Sequence, residues 1–217
     1  MQLTTFLFDL DGTLIDSIDL ILRSYRHTMQ VHRANAPLPP DDVWMKGLGT
    51  PLTVQFRHWT DDNAEIDAMV ATYREYNLSH HDALAKPYEG DTAAVLALHA
   101  TGKRLGLVTS KFVGGARRGL KLVGLEQAFE IIIGADSVTH PKPHPEPVLM
   151  ALDRLGARAE DAVFIGDSRH DIECGRAAGV KTAAVLWGPF DRSHLADLEP
   201  DYWLETPADL SLLTPDT

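Results

Sequence analysis

A single cysteine, Cys174, stands in a chain of 217 residues, so no disulfide can form within it. It falls in a stretch of helical spacing, where a small packed or surface residue is expected rather than a nucleophile. A reducing cytoplasm suits such a chain. Long apolar runs are missing too: nothing approaches the ~18 residues that a membrane helix requires. The start, Met1-Gln2-Leu3-Thr4-Thr5, carries no basic leader. The sequence therefore reads as a soluble, unexported, cytoplasmic protein with no membrane partner. Basic residues are also in short supply, 20 against 31 acidic for a net charge of −11, which disfavours nucleic acid and acidic lipid as partners. An anionic substrate would have to be captured by a local arrangement of charge. No repeat or low-complexity segment is present, and the length suits one compact domain or one domain with a sizeable insertion, stable without covalent staples.

What the chain does contain is an alternation of two periodicities. Leu3 to Phe8, Arg104 to Val108, Ile131 to Gly134, Ala162 to Ile165 and Thr182 to Leu186 are short apolar runs that end in polar residues or glycine. They read as buried parallel strands. Phe112 to Val123, Glu146 to Leu155 and Asp171 to Ala178 show helical spacing, with Gly124, Gly156 and Gly179 placed as stops. The pattern predicts an α/β protein with an open, doubly wound parallel sheet, whose ligand site lies beyond the carboxyl ends of the strands. Residues 16–87 break the rhythm. They contain no convincing strand and predict four helices: Asp16 to about Ala34, one opened by Pro39-Pro40-Asp41-Asp42, one from Thr50-Pro51 to near Trp59, and one from Thr60-Asp61-Asp62 to about His80. Residues 1–15 and 88–217 are thus expected to form the α/β core, and 16–87 a helical cap over its ligand end.

Chemistry concentrates at the predicted strand ends. Phe6-Leu7-Phe8 delivers Asp9-Leu10-Asp11-Gly12-Thr13-Leu14. An ionised carboxylate at the exit of a buried strand is costly unless a cation pairs with it. Residues i and i+2 of an extended segment also share one side, so Asp9 could attack while Asp11 moves protons. A plain Asp-Gly turn is the alternative. Thr109-Ser110-Lys111 follows the next strand, with hydroxyls suited to a phosphoryl oxygen or, for Ser110, to a helix cap. Lys142 lies among three prolines in Pro141-Lys142-Pro143-His144-Pro145, either as a placed ammonium or as a solvated loop lysine. Gly166-Asp167-Ser168-Arg169-His170-Asp171 again puts carboxylates past a strand, with Asp167 as a possible helix cap.

Taken in chain order, Asp9-x-Asp11-Gly12-Thr13, Thr109-Ser110, Lys142 and Gly166-Asp167-Ser168-x-x-Asp171 make the chain resemble the haloacid dehalogenase superfamily of phosphohydrolases over essentially its whole length. The resemblance implies that Asp9 attacks phosphorus to form an aspartyl-phosphate. Asp11 would protonate the leaving oxygen and later activate water. A Mg²⁺ would be held by the Asp9 carboxylate, the Asp11 backbone carbonyl and Asp167, with Asp171 in support. Ser110 and Lys142, beside Thr109, would grip the phosphoryl oxygens. Asp11 favours phosphoryl transfer, since dehalogenating and phosphonate-cleaving members do not keep that aspartate.

A finer resemblance is to bacterial inorganic pyrophosphatases of this superfamily and the related phosphoglycolate phosphatases. Tyr73-Arg74-x-Tyr76-Asn77, His81-Asp82-x-Leu84, Thr109-Ser110-Lys111, Gly119-Leu120-Lys121-Leu122-x-Gly124 and Lys142-Pro143-x-Pro145-Glu146-Pro147-Val148 carry it. It implies a small anionic phosphate as substrate, pyrophosphate before 2-phosphoglycolate. A sugar phosphatase, a phosphomutase and a non-catalytic phosphate-binding module are the alternatives. Gly47-Leu48-Gly49 follows no strand, which argues against a dinucleotide fingerprint. In resembling caps this loop approaches the substrate, so Gly47 and Gly49 are expected at the cleft. Arg23, Lys46, Arg57 and Arg74 are the cap cations available for a second anionic group, although each also suits a solvated helix face. His80 and His81, adjacent on a helix, face different directions and need no metal.

Overall fold

Hydrophobic patterning at period 2 and period 3.6 is resolved in space by two layers of helices on one sheet. The computed structural model describes residues 2–214. After β1 (Thr5–Phe8) come β2 (Ile15–Asp16), α1 (Ile18–His32), α2 (Asp41–Met45), α3 (Leu52–Phe56), α4 (Asn63–Leu84) and β3 (Lys86–Pro87). The chain then alternates through α5 (Asp91–Ala100), β4 (Arg104–Val108), α6 (Val113–Leu122), β5 (Ile131–Ile133) and α7 (Glu146–Leu155). It finishes with β6 (Ala162–Gly166), α8 (Arg169–Ala177), β7 (Lys181–Val185), α9 (Arg192–Leu195) and β8 (Tyr202–Leu204). Residue 1 and residues 215–217 of the expected core lie outside the described residues.

Six parallel strands form the sheet in the order β5-β4-β1-β6-β7-β8. From β1 the chain winds outward through β4 and β5, then returns to β6 on the other side, so β1 is the switch point where an α/β sheet opens a crevice. Phe8 pairs with both Leu107 and Ile165, and the three central strands therefore end level with one another.

Side-chain alternation divides the core. Phe6 and Phe8 point to the face covered by α5 and α6, with Val95, Leu98, Ala116 and Leu120. Leu7 points to the opposite face, with Val148, Ala151 and Leu155 of α7 and Cys174 of α8. Cys174 is fully buried, and burial pushes its thiol up to about 12, as befits a packed residue.

Between β2 and β3 the four expected helices are present. α1 packs on α4, and Tyr25, Trp44, Phe56, Met69 and Tyr73 make a separate apolar cluster, with Tyr25 and Trp44 stacked at 4.0 Å. Beyond the expected elements, α5 is an additional helix and two strand features depart from expectation. Lys86–Pro87 pairs antiparallel with Ile15–Asp16 in a segment where no strand was predicted, and β8 adds a sixth strand at the edge of the sheet. Among the described residues no helix is long and apolar enough to cross a membrane.

Candidate active site

Asp9 leaves the sheet at β1 with its backbone N–H bonded to the Ile165 carbonyl, and its side chain is almost wholly buried. Burial raises its carboxyl to about 7, against the pull of a single lysine. That lysine is Lys142, whose Nζ donates to Asp9 Oδ1 at 2.8 Å and to Asp171 Oδ1 at 2.6 Å. At 3 % exposure Lys142 is no solvated loop residue. Burial works against its charge, and the two carboxylates more than restore it, leaving its pKa above the ordinary lysine value.

The helix after β6 clarifies which residue caps and which is free. Ser168, not Asp167, is the N-cap of α8, and it forms a reciprocal capping box with Asp171. Asp171 Oδ2 accepts from the Ser168 N–H at 3.0 Å and hydroxyl at 2.6 Å, which aims the other oxygen at Lys142. Asp167 is released from capping. Its Oδ1 accepts from the Thr13 hydroxyl at 3.0 Å, while its buried Oδ2 has no partner among the described residues. Burial, then the neighbouring carboxylates of Asp171 and Asp9, drive its carboxyl well above the usual range. One oxygen from each of Asp9, Asp167 and Asp171 lies within 4.8 Å of the others. Gly12, at φ +89°, allows this approach, because a Cβ there would stand 2.5 Å from Asp167 Oδ2.

Asp11 belongs to a second charge group. Lys111 Nζ donates to its two oxygens at 2.9 and 3.2 Å, and the Ser17 hydroxyl donates at 2.6 Å. Burial raises the Asp11 carboxyl, but Lys111 and these bonds outweigh it and hold the net value below the ordinary one. Asp9 and Asp11 therefore differ sharply in proton affinity although they are two residues apart.

Both carboxylates line a cavity of about 250 Å³ between the strand ends and the helical insert. Thr109 and Lys111 line it from the core, and Thr50, Tyr73, Arg74 and Asn77 from the insert. The two sides touch where the Ser110 hydroxyl donates to the Gly49 carbonyl. Gly49, at φ +92°, lies so close to α8 that a Cβ would stand 2.8 Å from Ser168 Oγ. The Thr109 hydroxyl oxygen accepts from the Lys111 N–H at 3.2 Å, which leaves its own proton available for a ligand.

A family model described as haloacid dehalogenase-like hydrolase matches residues 6–185, which include all of these strand-end groups. The chain belongs to this hydrolase family. A protein named pyrophosphatase PpaX from Anoxybacillus flavithermus is 44 % identical over 210 residues, 97 % of this chain and 96 % of that protein. Another of that name, from Listeria monocytogenes, is 41 % identical over 99 % of this chain and 98 % of its own. A Bacteroides fragilis structure described as a haloacid dehalogenase-like hydrolase superposes with a TM-score of 0.89 at 28 % identity, covering 96 % of this chain and 100 % of that one. A candidate phosphoglycolate phosphatase from Lactobacillus plantarum gives 0.85 at 26 % identity, covering 98 % and 100 %. The chain is thus a haloacid dehalogenase-like phosphohydrolase.

Within this hydrolase, Asp9, Asp11, Thr109, Ser110, Asp167 and Gly49 all line the cavity, and Lys142 and Asp171 lie immediately behind Asp9. Gly47 does not line it. A Cβ there would meet the Gln55 side chain at 3.1 Å, so Gly47 serves the turn that presents Gly49. Of the four cap cations only Arg74 reaches the cavity, with its guanidinium 5.1 Å above the Phe112 ring. Arg23 pairs with Asp19, Lys46 lies 3.9 Å from Asp42, and Arg57 donates to Asn63, all outside it. His80 stacks on Tyr76 whereas His81 is buried against Asp82, facing apart as adjacent helical residues must. Lys111, which pairs with Asp11 and lines the cavity, is a candidate site residue beyond those expected from the motifs. Its only signal was a lysine next to the hydroxyl pair of the second motif.

Proposed function

We propose that this phosphohydrolase cleaves inorganic pyrophosphate, with 2-phosphoglycolate as a second substrate, through an aspartyl-phosphate on Asp9. The observation that carries the chemistry is the separation of the two aspartates. Asp9 is buried with Lys142 and faces the cavity, and Asp11 stands across from it under a different lysine. The Asp9 carboxylate attacks phosphorus as the bond to the leaving phosphate breaks. Lys142 neutralises Asp9 as the anion arrives, and the Thr109 hydroxyl donates to a phosphoryl oxygen. Asp11 gives its proton to the leaving oxygen. It then takes a proton from water, which attacks the phosphorus of the intermediate and frees Asp9 and a second phosphate.

Asp11 starts as an anion under Lys111, so it must gain a proton before it can act as an acid. An anionic substrate supplies the reason: its charge raises the Asp11 pKa and competes for the Lys111 ammonium.

The acidic cluster fits a hard divalent cation. Three buried carboxylates converge, one oxygen of Asp167 has no partner among the described residues, and a lone lysine leaves the net charge negative. Asp9, Asp167 and the Asp11 backbone carbonyl would hold Mg²⁺, with Asp171 behind them. Bound there, the ion would supply positive charge against the phosphoryl oxygens.

Substrate size and charge follow from the cavity. Residues 16–87 act as a cap that shuts a small space through the Gly49 latch, and Arg74 adds a cation to its lining. Pyrophosphate and phosphoglycolate each carry a second anionic group that such a cation would meet. The relatives named pyrophosphatase PpaX, matched along nearly the whole chain, favour pyrophosphate of the two. The deciding experiment is phosphate release from pyrophosphate, 2-phosphoglycolate and hexose phosphates at one Mg²⁺ concentration, with a chelator control. Highest kcat/KM for pyrophosphate and no turnover in excess chelator are expected. Preference for a hexose phosphate would replace this reading with a sugar phosphatase or mutase.

A further inference from the structure

The loop that delivers Lys142 inward carries a second set of donors outward. His140, His144 and Glu146 each offer a ligand atom within 4.8 Å of the others, and the two imidazole rings lie 4.7 Å apart. None of the three lines the cavity or touches the acidic cluster. We propose that this loop is a separate metal site that takes one borderline divalent transition ion, Zn²⁺ or Ni²⁺, through the imidazoles of His140 and His144 and the carboxylate of Glu146.

Glu146 is already fixed for the role. Its Oε1 accepts from the Thr139 N–H at 2.8 Å, and its Oε2 accepts from the His140 N–H at 2.9 Å. Oε1 therefore keeps a free lone pair. The His140 ring adds a third bond, Nδ1 to Glu146 Oε2 at 2.8 Å. That contact already sets an imidazole nitrogen of His140 beside the carboxylate, and ligation of an ion between them replaces it.

His144 contributes the second nitrogen. Its Nδ1 accepts from the Glu146 N–H at 3.1 Å, an exposed bond that ligation would replace. Pro141, Pro143 and Pro145 alternate with the functional residues, so the backbone that carries the donors is stiff. Ordering the site then needs only side-chain rotation, and the His140 side chain, 64 % exposed, has room for it. The donor atoms must draw in to roughly 3.3 Å, the separation around a tetrahedral zinc. Two imidazoles and one carboxylate select zinc and nickel over magnesium and calcium, so the site and the acidic cluster would sort different ions from one mixture. Solvent fills the remaining position.

The test is isothermal titration of tag-free protein with Zn²⁺ in saturating Mg²⁺, together with ¹⁵N spectra of the histidine side chains. One equivalent of Zn²⁺ should bind and shift the His140 and His144 resonances. His140→Ala and His144→Ala should each weaken binding by at least about tenfold, and Asp167→Asn should leave it unchanged. Both histidines are exposed, so the variants should unfold in urea as the wild type does, and the wild-type spectra give a reading that needs no variant. No saturable Zn²⁺ binding would overturn the assignment. Unchanged affinity in both histidine variants would also overturn it, as would loss of binding in Asp167→Asn, which would place the ion at the acidic cluster.

Discussion

Lys111 and Asp11, a hundred residues apart in the chain, form an ion pair in which one ammonium bridges both carboxylate oxygens at 2.9 and 3.2 Å. The pair is largely buried, so it is screened far less than a surface contact. Lys111→Met removes the charge that opposes burial at Asp11. The Asp11 carboxyl should then titrate at a higher pH than in the wild type, read by carboxyl ¹³C resonances. For pyrophosphate, kcat/KM should fall roughly tenfold to hundredfold, the scale of a disturbed general acid and base. An Asp11 titration unaffected by the substitution would show that the ion pair does not set its proton affinity.

Asp9→Asn should lower turnover by about 10⁴-fold or more, as loss of a nucleophile does. The fold should persist, because Lys142 keeps its bond to Asp171. Asp11→Asn should act differently, with its larger loss for substrates whose leaving oxygen needs a proton. Phosphate release and far-ultraviolet dichroism on the same samples separate chemistry from folding. Wild-type rates in Asp9→Asn would exclude the covalent route.

Arg74 makes no ion pair among the described residues and reaches the cavity over Phe112. Arg74→Ala should raise KM for pyrophosphate and 2-phosphoglycolate by about tenfold, equivalent to ~1.4 kcal/mol of lost attraction. p-Nitrophenyl phosphate, whose tail is neutral, should be spared. Equal losses on all three substrates would assign Arg74 to the structure of the cap.

Asp91 opens α5 at 1 % exposure, and neither carboxylate oxygen has a partner among the described residues. Burial raises its carboxyl to about 8, and the helix N-terminus offsets only part of that penalty. The folded protein therefore prefers Asp91 protonated. Its stability is undiminished below about pH 4, the ordinary range of an aspartate, and declines as pH rises towards 8. Asp91→Asn should be neutral near pH 4 and stabilising by roughly 1–3 kcal/mol at pH 8.5, on the scale of a buried unpaired polar group. Urea unfolding at the two pH values, in Mg²⁺, measures the difference. A gain of equal size at both would trace the effect to packing.

The central strands and the motif residues were legible because each buried run ends abruptly in a polar residue, and burial forces that boundary into the sequence. α7 is legible to its bounds, since Pro145 and Pro147 start it and Gly156 stops it. α5 carries no clear periodic signal, because Ala93, Ala94, Ala97 and Ala100 give little contrast between its faces. β8 is three residues long, and only its place at the edge beside β7 makes Tyr202 to Leu204 a strand. The Lys111 partner could not be read at all, because which lysine faces Asp11 depends on how α6 leaves β4. For the same reason Arg74 could not be told from Arg23, Lys46 and Arg57. Arg23 and Arg74 lie within helices and Lys46 and Arg57 at helix ends, all in polar surroundings in the sequence, and only the docking of the insert decides which one looks inward.

Asp16 and Lys86 mark where the chain leaves the α/β layer and where it comes back, paired across β2 and β3 with their side chains 3.4 Å apart. The two ends of the helical insert are thus side by side on a single narrow stalk. Such an arrangement makes the insert a replaceable cassette: another helical segment grafted at that stalk would leave the sheet register untouched. Selection of what reaches Asp9 is then altered by exchanging the cassette and the reaction by editing the strand ends, with the Ser17 hydroxyl that bonds Asp11 the one group of the insert that an exchange has to keep.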